Sequence, residues 1–257
     1  MAPGRAPTER FSNRVGDYQR SRPGYPPELA PWLMAACGLV PGDVAADVGS
    51  GTGLFARELL AAGLKVSGVE PNAPMREAGK HFLAGFGAAY ASRPGTAEAT
   101  GLAAASVKLV TAAQAFHWFE PAPTRAEFAR VLVPGGHVAL VWNLRREDTP
   151  FLRGYEALLQ AHAREYADSG VPAQANEQII SAFFAPQAWR SHGFEYVQRF
   201  DREGLRGRLL SSSYAPAAGT PGHQPMLMAL DALFDAHQRD GRVDFGYDTR
   251  VFVGRLS

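Results

Sequence analysis

The sequence predicts an α/β fold: a doubly wound, mostly parallel sheet of seven strands with an antiparallel edge strand, plus a helical insertion that caps it. The chain has 257 residues, of which 46% are hydrophobic, enough to bury one substantial core. A strand at residues 44–48 runs through a glycine turn into a helix. Predicted strands and helices then alternate up to residue 143, which is typical of parallel pairing with right-handed crossovers.

The stretch around which the fold is organised is residues 44–55. Small and β-branched residues at 44–48 suit a strand that is covered on both faces, and Asp47 lies close to its carboxyl end. Gly49, Gly51 and Gly53 let the backbone turn sharply and approach a ligand without a Cβ in the way. The apolar spacing of the next residues predicts a helix.

The remaining elements follow from periodicity and from turn residues. Further strands are predicted at residues 65–70, 88–92, 106–113, 137–143, 194–201 and 249–255, with a turn at 134–136. Further helices are predicted at residues 27–39, 75–83, 123–132, 155–166, 177–184, 204–214 and 225–239. Because only helices separate the last two strands, we expect them to pair antiparallel at one edge of the sheet.

The chain is predicted to divide into a tail, a lid segment and one domain. Residues 1–10 are rich in Pro, Gly and Arg, which predicts a mobile tail. Residues 11–27 interleave aromatic and basic side chains, which favours a lid over a pocket, although a disordered basic leader is the alternative. Residues 28–257 form the domain, with a helical substrate-cap insertion at about 145–190 and further cap helices at about 204–240.

Composition limits the partners and the compartment. The formal net charge is +1, so no strong overall field recruits nucleic acid or an anionic membrane. Cys37 is the one cysteine, which excludes an intramolecular disulfide and an all-cysteine metal site. The sequence contains neither a signal-peptide core nor an apolar run of about 18 residues. We therefore expect a cytoplasmic monomer or homodimer whose partner is a small molecule, with no nucleic acid and no membrane.

Acidic residues follow the first three predicted strands, at the edge of the sheet where the ligand crevice of this fold lies. Asp47 precedes the glycine turn, and Glu70 comes 23 residues later, where its carboxylate could accept both hydroxyls of a ribose. Ala97 and Glu98 follow the third strand and could flank a flat base. Together these residues predict a pocket for an adenosine group.

The spacing of the glycines indicates which nucleoside ligand this pocket takes. Folds that bind nicotinamide or flavin dinucleotides use Gly-x-Gly-x-x-Gly, whereas Gly49, Gly51 and Gly53 are separated by single residues. Asp47 stands two residues before the first glycine, where it would repel a diphosphate and attract the ammonium group of an amino acid. The pattern therefore favours an amino-acid nucleoside over a dinucleotide.

The pattern Asp-x-Gly-x-Gly-x-Gly resembles motif I of the Rossmann-like class I S-adenosylmethionine-dependent methyltransferases. Residues 18–26, 95–102, 114–119 and 142–143 also look like the small-molecule group, methyltransferase type 11, that contains the trans-aconitate-type carboxyl methyltransferases. The resemblance implies S-adenosylmethionine as cofactor, S-adenosylhomocysteine as its product, and no metal. It implies that the cofactor is bound by Asp47, Gly49, Ser50, Gly51, Gly53, Glu70, Pro71, Ala97, Glu98 and Gln114.

The aromatic segment at residues 116–119 is the place where chemistry is most expected to touch the protein. His117 could act as a general base for a hydroxyl acceptor, orient a carboxylate that needs no base, or simply pack beneath the lid. The predicted lid and acceptor wall consists of Arg14, Tyr18, Arg22, Tyr25, Phe116, Trp118 and Tyr214. The other histidines show no metal-ligand spacing.

These features predict methyl transfer to a small-molecule acceptor, at an oxygen such as a carboxylate or hydroxyl. Transfer to nitrogen or carbon of a small metabolite is an alternative, as is a non-catalytic module that binds S-adenosylmethionine. A nicotinamide-dependent oxidoreductase fits least well, because it would need the third glycine one position later and an evident Tyr-x-x-x-Lys pair.

Overall fold

The computed structural model describes residues 22–163, 166, 176–212 and 214–256. Its strands are β1 (Val44–Val48), β2 (Lys65–Val69), β3 (Tyr90–Arg93), β4 (Val107–Ala113), β5 (Leu132–Arg145), β6 (Trp189–Phe200) and β7 (Val243–Gly254). They form one sheet in the order β3-β2-β1-β4-β5-β7-β6. The predicted seven-stranded, mostly parallel sheet is thereby confirmed.

Helices connect the strands and cover the sheet. In the described part of the chain the α-helices are α1 (Leu29–Cys37), α2 (Leu54–Ala61), α3 (Ala73–Phe82), α4 (Pro121–Val131), α5 (Pro150–His162), α6 (Glu177–Phe184), α7 (Arg202–Leu210) and α8 (His223–His237). Two 3₁₀ turns lie at Ala84–Ala89 and Phe116–Trp118.

The order in which successive strands are added to the sheet reverses next to β1, and this reversal positions the pocket. β1 pairs in parallel with β2 on one side and with β4 on the other. Asp47 lies opposite Gly68 of β2 and Thr111 of β4. Because the chain leaves β1 and β4 toward opposite halves of the sheet, a crevice opens at their carboxyl ends.

The antiparallel pair lies at the far edge, as the sequence predicts, with β7 between β5 and the outermost strand β6. Both strands are longer than the predicted segments, and so is β5. The turn predicted at residues 134–136 is part of β5, where Gly135 has φ +78° and the β4–β5 register shifts between Val107 and Leu109. A local irregularity of this kind lets the strand continue through a Pro-Gly-Gly sequence.

Capping side chains set helix boundaries that periodicity alone places differently. α5 begins five residues before the predicted start because the Thr149 hydroxyl accepts the Leu152 N–H at 3.1 Å. α7 begins after Asp201, whose carboxylate accepts the Gly204 N–H at 2.8 Å, and it ends four residues before its predicted end. The helices α5 and α6 lie in the region that the sequence predicts as the cap insertion.

Apolar side chains pack in three clusters. One lies on each face of the sheet, with Trp142 fully buried in the first and Phe55 in the second. The third joins α5, α7 and α8 to the ends of β6 and β7 around Tyr155 and Phe245. Among the described residues, no helix has the length and apolar character needed to cross a bilayer.

Candidate active site

A cavity opens at the carboxyl ends of β1 and β4. Residues from the glycine loop, from the start of α2, from the end of β4 and from the segment before α1 line it. They are Arg22, Pro23, Tyr25, Asp47, Gly49, Ser50, Gly51, Thr52, Leu54, Phe55, Ala113 and Gln114.

The glycine loop requires its glycines for two separate reasons. Gly49 has φ +70°, and a Cβ at this position would lie 2.6 Å from the Cβ of Ala115. Gly53 has φ +82° at the N-terminus of α2, and a Cβ there would lie 2.6 Å from Leu83 Cδ1. The loop therefore combines left-handed backbone with close packing, which side chains other than glycine do not allow.

Asp47 is a buried carboxyl that is only partly satisfied. It is 1% exposed, and the Thr111 hydroxyl donates to its Oδ1 at 2.7 Å. Its Oδ2 has no hydrogen-bond partner among the described residues. Burial raises the pKa of Asp47 to about 7, and the nearby Glu70 carboxyl acts in the same direction. A cationic donor that reached Oδ2 would satisfy it and favour the ionised form.

Glu70 is fixed by the backbone on both of its oxygens. The N–H of Gly51 donates to Oε2 at 3.0 Å, and the N–H of Asn72 donates to Oε1 at 2.9 Å. Burial raises the pKa of Glu70, although these two hydrogen bonds oppose the rise. Since each carboxylate oxygen can accept more than one hydrogen bond, Glu70 retains the capacity to accept the two hydroxyls of a ribose.

The residues predicted to contact adenine lie close to α4. Ala97 is buried, whereas the carboxylate of Glu98 accepts the backbone N–H of Glu120 at 3.0 Å and the Thr124 hydroxyl at 3.4 Å. Burial acts to raise the pKa of Glu98, but these hydrogen bonds together lower it. One carboxylate oxygen of Glu98 therefore accepts hydrogen bonds at the N-terminus of α4.

Two further predicted cofactor residues differ in exposure and in backbone strain. Pro71 is exposed, and its carbonyl accepts Arg76 Nη1 at 2.7 Å. Gln114 lines the cavity with φ +55°, which is unusual for a side chain other than glycine. Its Nε2 donates to the carbonyl of Asn143 at 3.1 Å, and this bond joins the end of β4 to β5.

The aromatic segment separates into core and surface residues. Phe116 is buried and packs edge-on against Trp142 and Phe183, with ring centroids 6.1 and 4.8 Å away. The ring supports the sheet from this buried position, and the place of Phe116 on the acceptor wall stays a prediction. Trp118 is 40% exposed, and its ring lies 4.9 Å from that of His117.

His117 is a neutral imidazole in this environment. Burial lowers its pKa to about 4, and the nearby Arg22 guanidinium acts in the same direction. Its Nδ1 is buried and has no hydrogen-bond partner in the described part of the chain. The ring can therefore accept a proton or donate a hydrogen bond, according to its tautomer.

The predicted lid and acceptor wall is only partly within the described structure. Arg14 and Tyr18 lie outside the described residues. Arg22 and Tyr25 line the cavity; Arg22 Nη2 donates to the Ser211 carbonyl at 3.1 Å, and the Tyr25 ring packs 4.8 Å from that of Phe55. Tyr214 packs 4.9 Å from the ring of Tyr166 beneath the cap helices.

Sequence reasoning did not find four polar residues that shape the site. Thr111 and Asn72 hold Asp47 and Glu70, and Asn143 joins the cavity to the segment before α1 through a 2.9 Å bond from its Nδ2 to the Gly24 carbonyl. Arg208 is buried beneath the cap. A polar residue inside an apolar strand, such as Thr111, is a signal that could have been read; the others depend on long-range contacts. Across the described ranges, no group of three or more potential metal ligands comes together.

The sheet order, the glycine loop and the two strand-end carboxyls resemble those of a Rossmann-like class I methyltransferase domain. Residues 46–140 match the family model described as "Methyltransferase domain". The resemblance to this class is thereby confirmed for the domain.

The chain is similar to methyltransferases from two organisms, and a solved structure shares its fold. An uncharacterized methyltransferase of Mycobacterium tuberculosis (strain H37Rv) is 41% identical over 143 residues, and one from Schizosaccharomyces pombe is 30% identical over 151 residues. These matches span 56–58% of this chain and 56–59% of the relatives, so the chain covers little more than half of their length. A type II methyltransferase structure from Anaeromyxobacter dehalogenans has a TM-score of 0.72 at 24% identity, covering 91% of this chain and 98% of that one, and shares the fold.

Proposed function

We propose that this protein transfers a methyl group from S-adenosylmethionine to an oxygen of a small-molecule acceptor, a carboxylate or a hydroxyl. The observation that carries the proposal is Oδ2 of Asp47, a buried carboxyl oxygen on the cavity wall beside the glycine loop that has no hydrogen-bond partner among the described residues. It is matched to the ammonium of an amino-acid nucleoside and mismatched to a dinucleotide phosphate.

The residues around the cavity fit this cofactor. Asp47 would bind its ammonium, Glu70 its ribose hydroxyls, and the glycine loop would allow the backbone to approach it closely. Ala97 and Glu98 would flank the adenine, with one oxygen of Glu98 held by α4. When bound, S-adenosylmethionine supplies an electrophilic methyl group on a sulfonium. The protein's own contribution is to align the acceptor and exclude water.

His117 has the protonation state that either acceptor class requires. Because it is neutral at physiological pH, it can take the proton of a hydroxyl acceptor at its free Nδ1. A carboxylate acceptor carries no such proton, and His117 would then donate a hydrogen bond that orients it. We assign His117 to the acceptor and not to the cofactor.

We further propose that residues 11–27 form a lid and that the segments at about 145–190 and 204–240 supply most of the acceptor pocket. The described end of the lid supports this, because Gly24 is bonded to Asn143 of β5 and Arg22 to Ser211 at the end of α7. A segment that lies between the cavity and the cap would make bonds of this kind.

Two measurements test the proposed function. Calorimetric titration should show tight binding of S-adenosylmethionine and S-adenosylhomocysteine and none of NADH; binding of NADH alone would overturn the proposal. Transfer of labelled methyl groups should then occur to members of a panel of carboxylic acids and phenols. Transfer to amines only would move the acceptor atom to nitrogen, and transfer to none would favour a binding module.

A further inference from the structure

Arg208 is a buried cation whose contacts do not balance its charge. The residue is 6% exposed and projects from the last turn of α7. Its Nε donates to the Tyr247 hydroxyl at 3.0 Å and its Nη1 to the Ser212 hydroxyl at 3.1 Å, and its guanidinium lies 5.6 Å from the centre of the Phe245 ring. No carboxylate of the described residues pairs with it. The helix C-terminus offers only a partial negative charge, about half a unit.

Three neighbouring arginines of the cap pair with acids. On the same helix, Arg206 pairs with Asp231, and Arg202 pairs with Asp235. Arg145, at the end of β5, pairs with Glu156. Of the three arginines on α7, the buried one is therefore the one that pairs with no acid among the described residues. Burial makes an uncompensated charge most costly at this position.

Two more donors in the same cluster lack acceptors. The Tyr155 hydroxyl is fully buried and has no hydrogen-bond partner within the described structure, and the same holds for Nε of Arg145. The Arg145 guanidinium lies 5.2 Å from the centre of the Tyr155 ring. Since a guanidinium can only donate and a hydroxyl can donate, the unmet need of the cluster is for an acceptor. Together with the unbalanced charge of Arg208, this need specifies an anion.

The cluster is connected to the wall of the cavity by the helix that carries Arg208. Arg22 of the cavity wall donates to the carbonyl of Ser211, three residues after Arg208. Tyr196 also connects the cluster to the segment before α1. A Cβ on Gly24 would lie 3.1 Å from the Tyr196 hydroxyl, and the Tyr196 ring lies 6.3 Å from the Tyr247 ring. Arg208 itself does not line the cavity that Asp47 lines, so the anion belongs to the acceptor.

We propose that Arg208 and Tyr155, with Nε of Arg145, form an anion subsite that binds a carboxylate of the methyl acceptor. The inference rests on the proposed function, because it identifies the acceptor as a carboxylic acid. The planar donor fork of a guanidinium matches a carboxylate. The subsite contributes to the KM of the acceptor and leaves the affinity for the cofactor unchanged.

Variants of three residues separate this role from a structural one. Arg208→Met removes the buried cation, and Tyr155→Phe removes only the unpartnered hydroxyl. Arg206→Met is the matched control, since that arginine lies on the same helix, is part-exposed and already has an acid partner. Because the Tyr155 hydroxyl makes no hydrogen bond within the described structure, Tyr155→Phe should unfold no more easily than the wild type. The test therefore stays valid if Arg208→Met fails to fold.

The probes are succinate, citrate and benzoate, their methyl esters, and inorganic phosphate, each added with saturating S-adenosylhomocysteine. We expect at least one carboxylate to raise the melting temperature of the wild type and of Arg206→Met. The rise should be lost in Arg208→Met and reduced in Tyr155→Phe, and the esters should give none. With an accepted carboxylic acid as substrate, its KM should rise at least tenfold in Arg208→Met, and the KM of S-adenosylmethionine should stay unchanged.

Three outcomes would overturn the inference. The first is a carboxylate-induced rise in melting temperature that is unchanged in both Arg208→Met and Tyr155→Phe. The second is a rise with phosphate but with no carboxylate. The third is methylation of phenols by a wild type whose melting temperature rises with no carboxylate. In the last case the proposed function stands and only the subsite fails. If the wild type does not bind S-adenosylhomocysteine, the proposed function itself fails.

Discussion

The hydroxyl of Thr111 donates to Oδ1 of Asp47 at 2.7 Å and leaves Oδ2 of the same carboxyl without a partner among the described residues. The two residues are neighbours in the sheet, because β1 and β4 pair with Asp47 opposite Thr111. The hydrogen bond fixes the carboxyl so that one oxygen is satisfied by the protein and the other is available to a ligand. A rigid buried acceptor of this kind is more selective for a cation than a mobile surface carboxylate.

Replacement of Asp47 by Asn should weaken cofactor binding while preserving the fold. The amide has the same shape, and the Thr111 hydroxyl can still donate to its oxygen, but the charge is lost. A charge-assisted hydrogen bond contributes about 1.5–3 kcal/mol, so we expect the Kd of S-adenosylhomocysteine to rise roughly 10- to 100-fold in calorimetry.

The control for this variant is Asp43→Asn. Asp43 lies just before β1, at the end of the strand away from the cavity, where it pairs with Lys108 at 2.7 Å. Its replacement should leave the affinity unchanged. Wild-type affinity in Asp47→Asn, or an equal loss in both variants, would contradict the role assigned to Asp47.

Cofactor binding should be linked to the release of a proton from Asp47. Its pKa is raised to about 7, so the free protein holds this proton below pH 7, and pairing with an ammonium group expels it. Affinity should therefore rise with pH up to about 7 and then level off. Calorimetry at pH 6 in two buffers of different ionisation enthalpy measures the proton released, and at pH 8 the release should largely vanish.

The same shift predicts how the ligand-free protein responds to pH. The folded state holds the Asp47 proton more tightly than the unfolded state, so the free energy of unfolding should fall as pH rises from about 4 to 7. Asp47→Asn should flatten this slope and remove most of the proton release, leaving the smaller contribution of Glu70, whose pKa is also raised. A variant with the slope of the wild type would refute the assignment.

His117→Asn should slow methyl transfer without changing the Kd of S-adenosylhomocysteine. Because burial lowers the pKa of His117 to about 4, the imidazole is neutral throughout the pH range of an ordinary assay. If His117 titrated near pH 6.5, the rate of the wild type would fall below that pH and the rate of the variant would not. We expect no such difference between the two pH profiles. A surface control is His81→Asn on α3, which should retain wild-type kcat and KM.

His117 also makes an opposite contribution to acid stability. Its pKa is lower in the folded state than in the unfolded state, so this residue costs stability as pH falls from about 6.5 to 4. The unfolding free energy of His117→Asn should therefore exceed that of the wild type increasingly over this window. Parallel pH profiles for the two proteins in urea denaturation would show that His117 is not buried as a neutral group.

Gly49→Ala should destabilise the protein more than Gly38→Ala. Both glycines have positive φ, +70° and +64°, so both variants lose about 1 kcal/mol to left-handed strain. A Cβ at Gly49 would meet Ala115 at 2.6 Å, whereas one at Gly38 meets nothing within 4 Å. The clash should add about 1–3 kcal/mol to the loss at Gly49, measured by urea denaturation. Equal losses would mean that the loop moves away from Ala115 at no cost.

Much of the architecture can be read from short stretches of sequence. The β1–glycine loop–α2 unit follows from residues 44–61 alone, because strand period, turn chemistry and helix period are all local. Glu70 was identifiable because it ends the strand after this unit. Helix ends were less accurate, since the caps at Thr149 and Asp201 decide them, and these fall outside the apolar pattern.

The sequence by itself determined the order of elements and the ligand-bearing ends of the strands. Only the tertiary structure decided how each polar group is satisfied: that Thr111 holds Asp47 from 64 residues away, that one oxygen of Glu98 is used by α4, and that Phe116 lies in the core. It also decided that Arg208 is buried and pairs with no acid of the described residues. The reason is physical: backbone propensities act over a few residues, whereas burial and hydrogen bonding depend on groups that meet only when distant segments pack together.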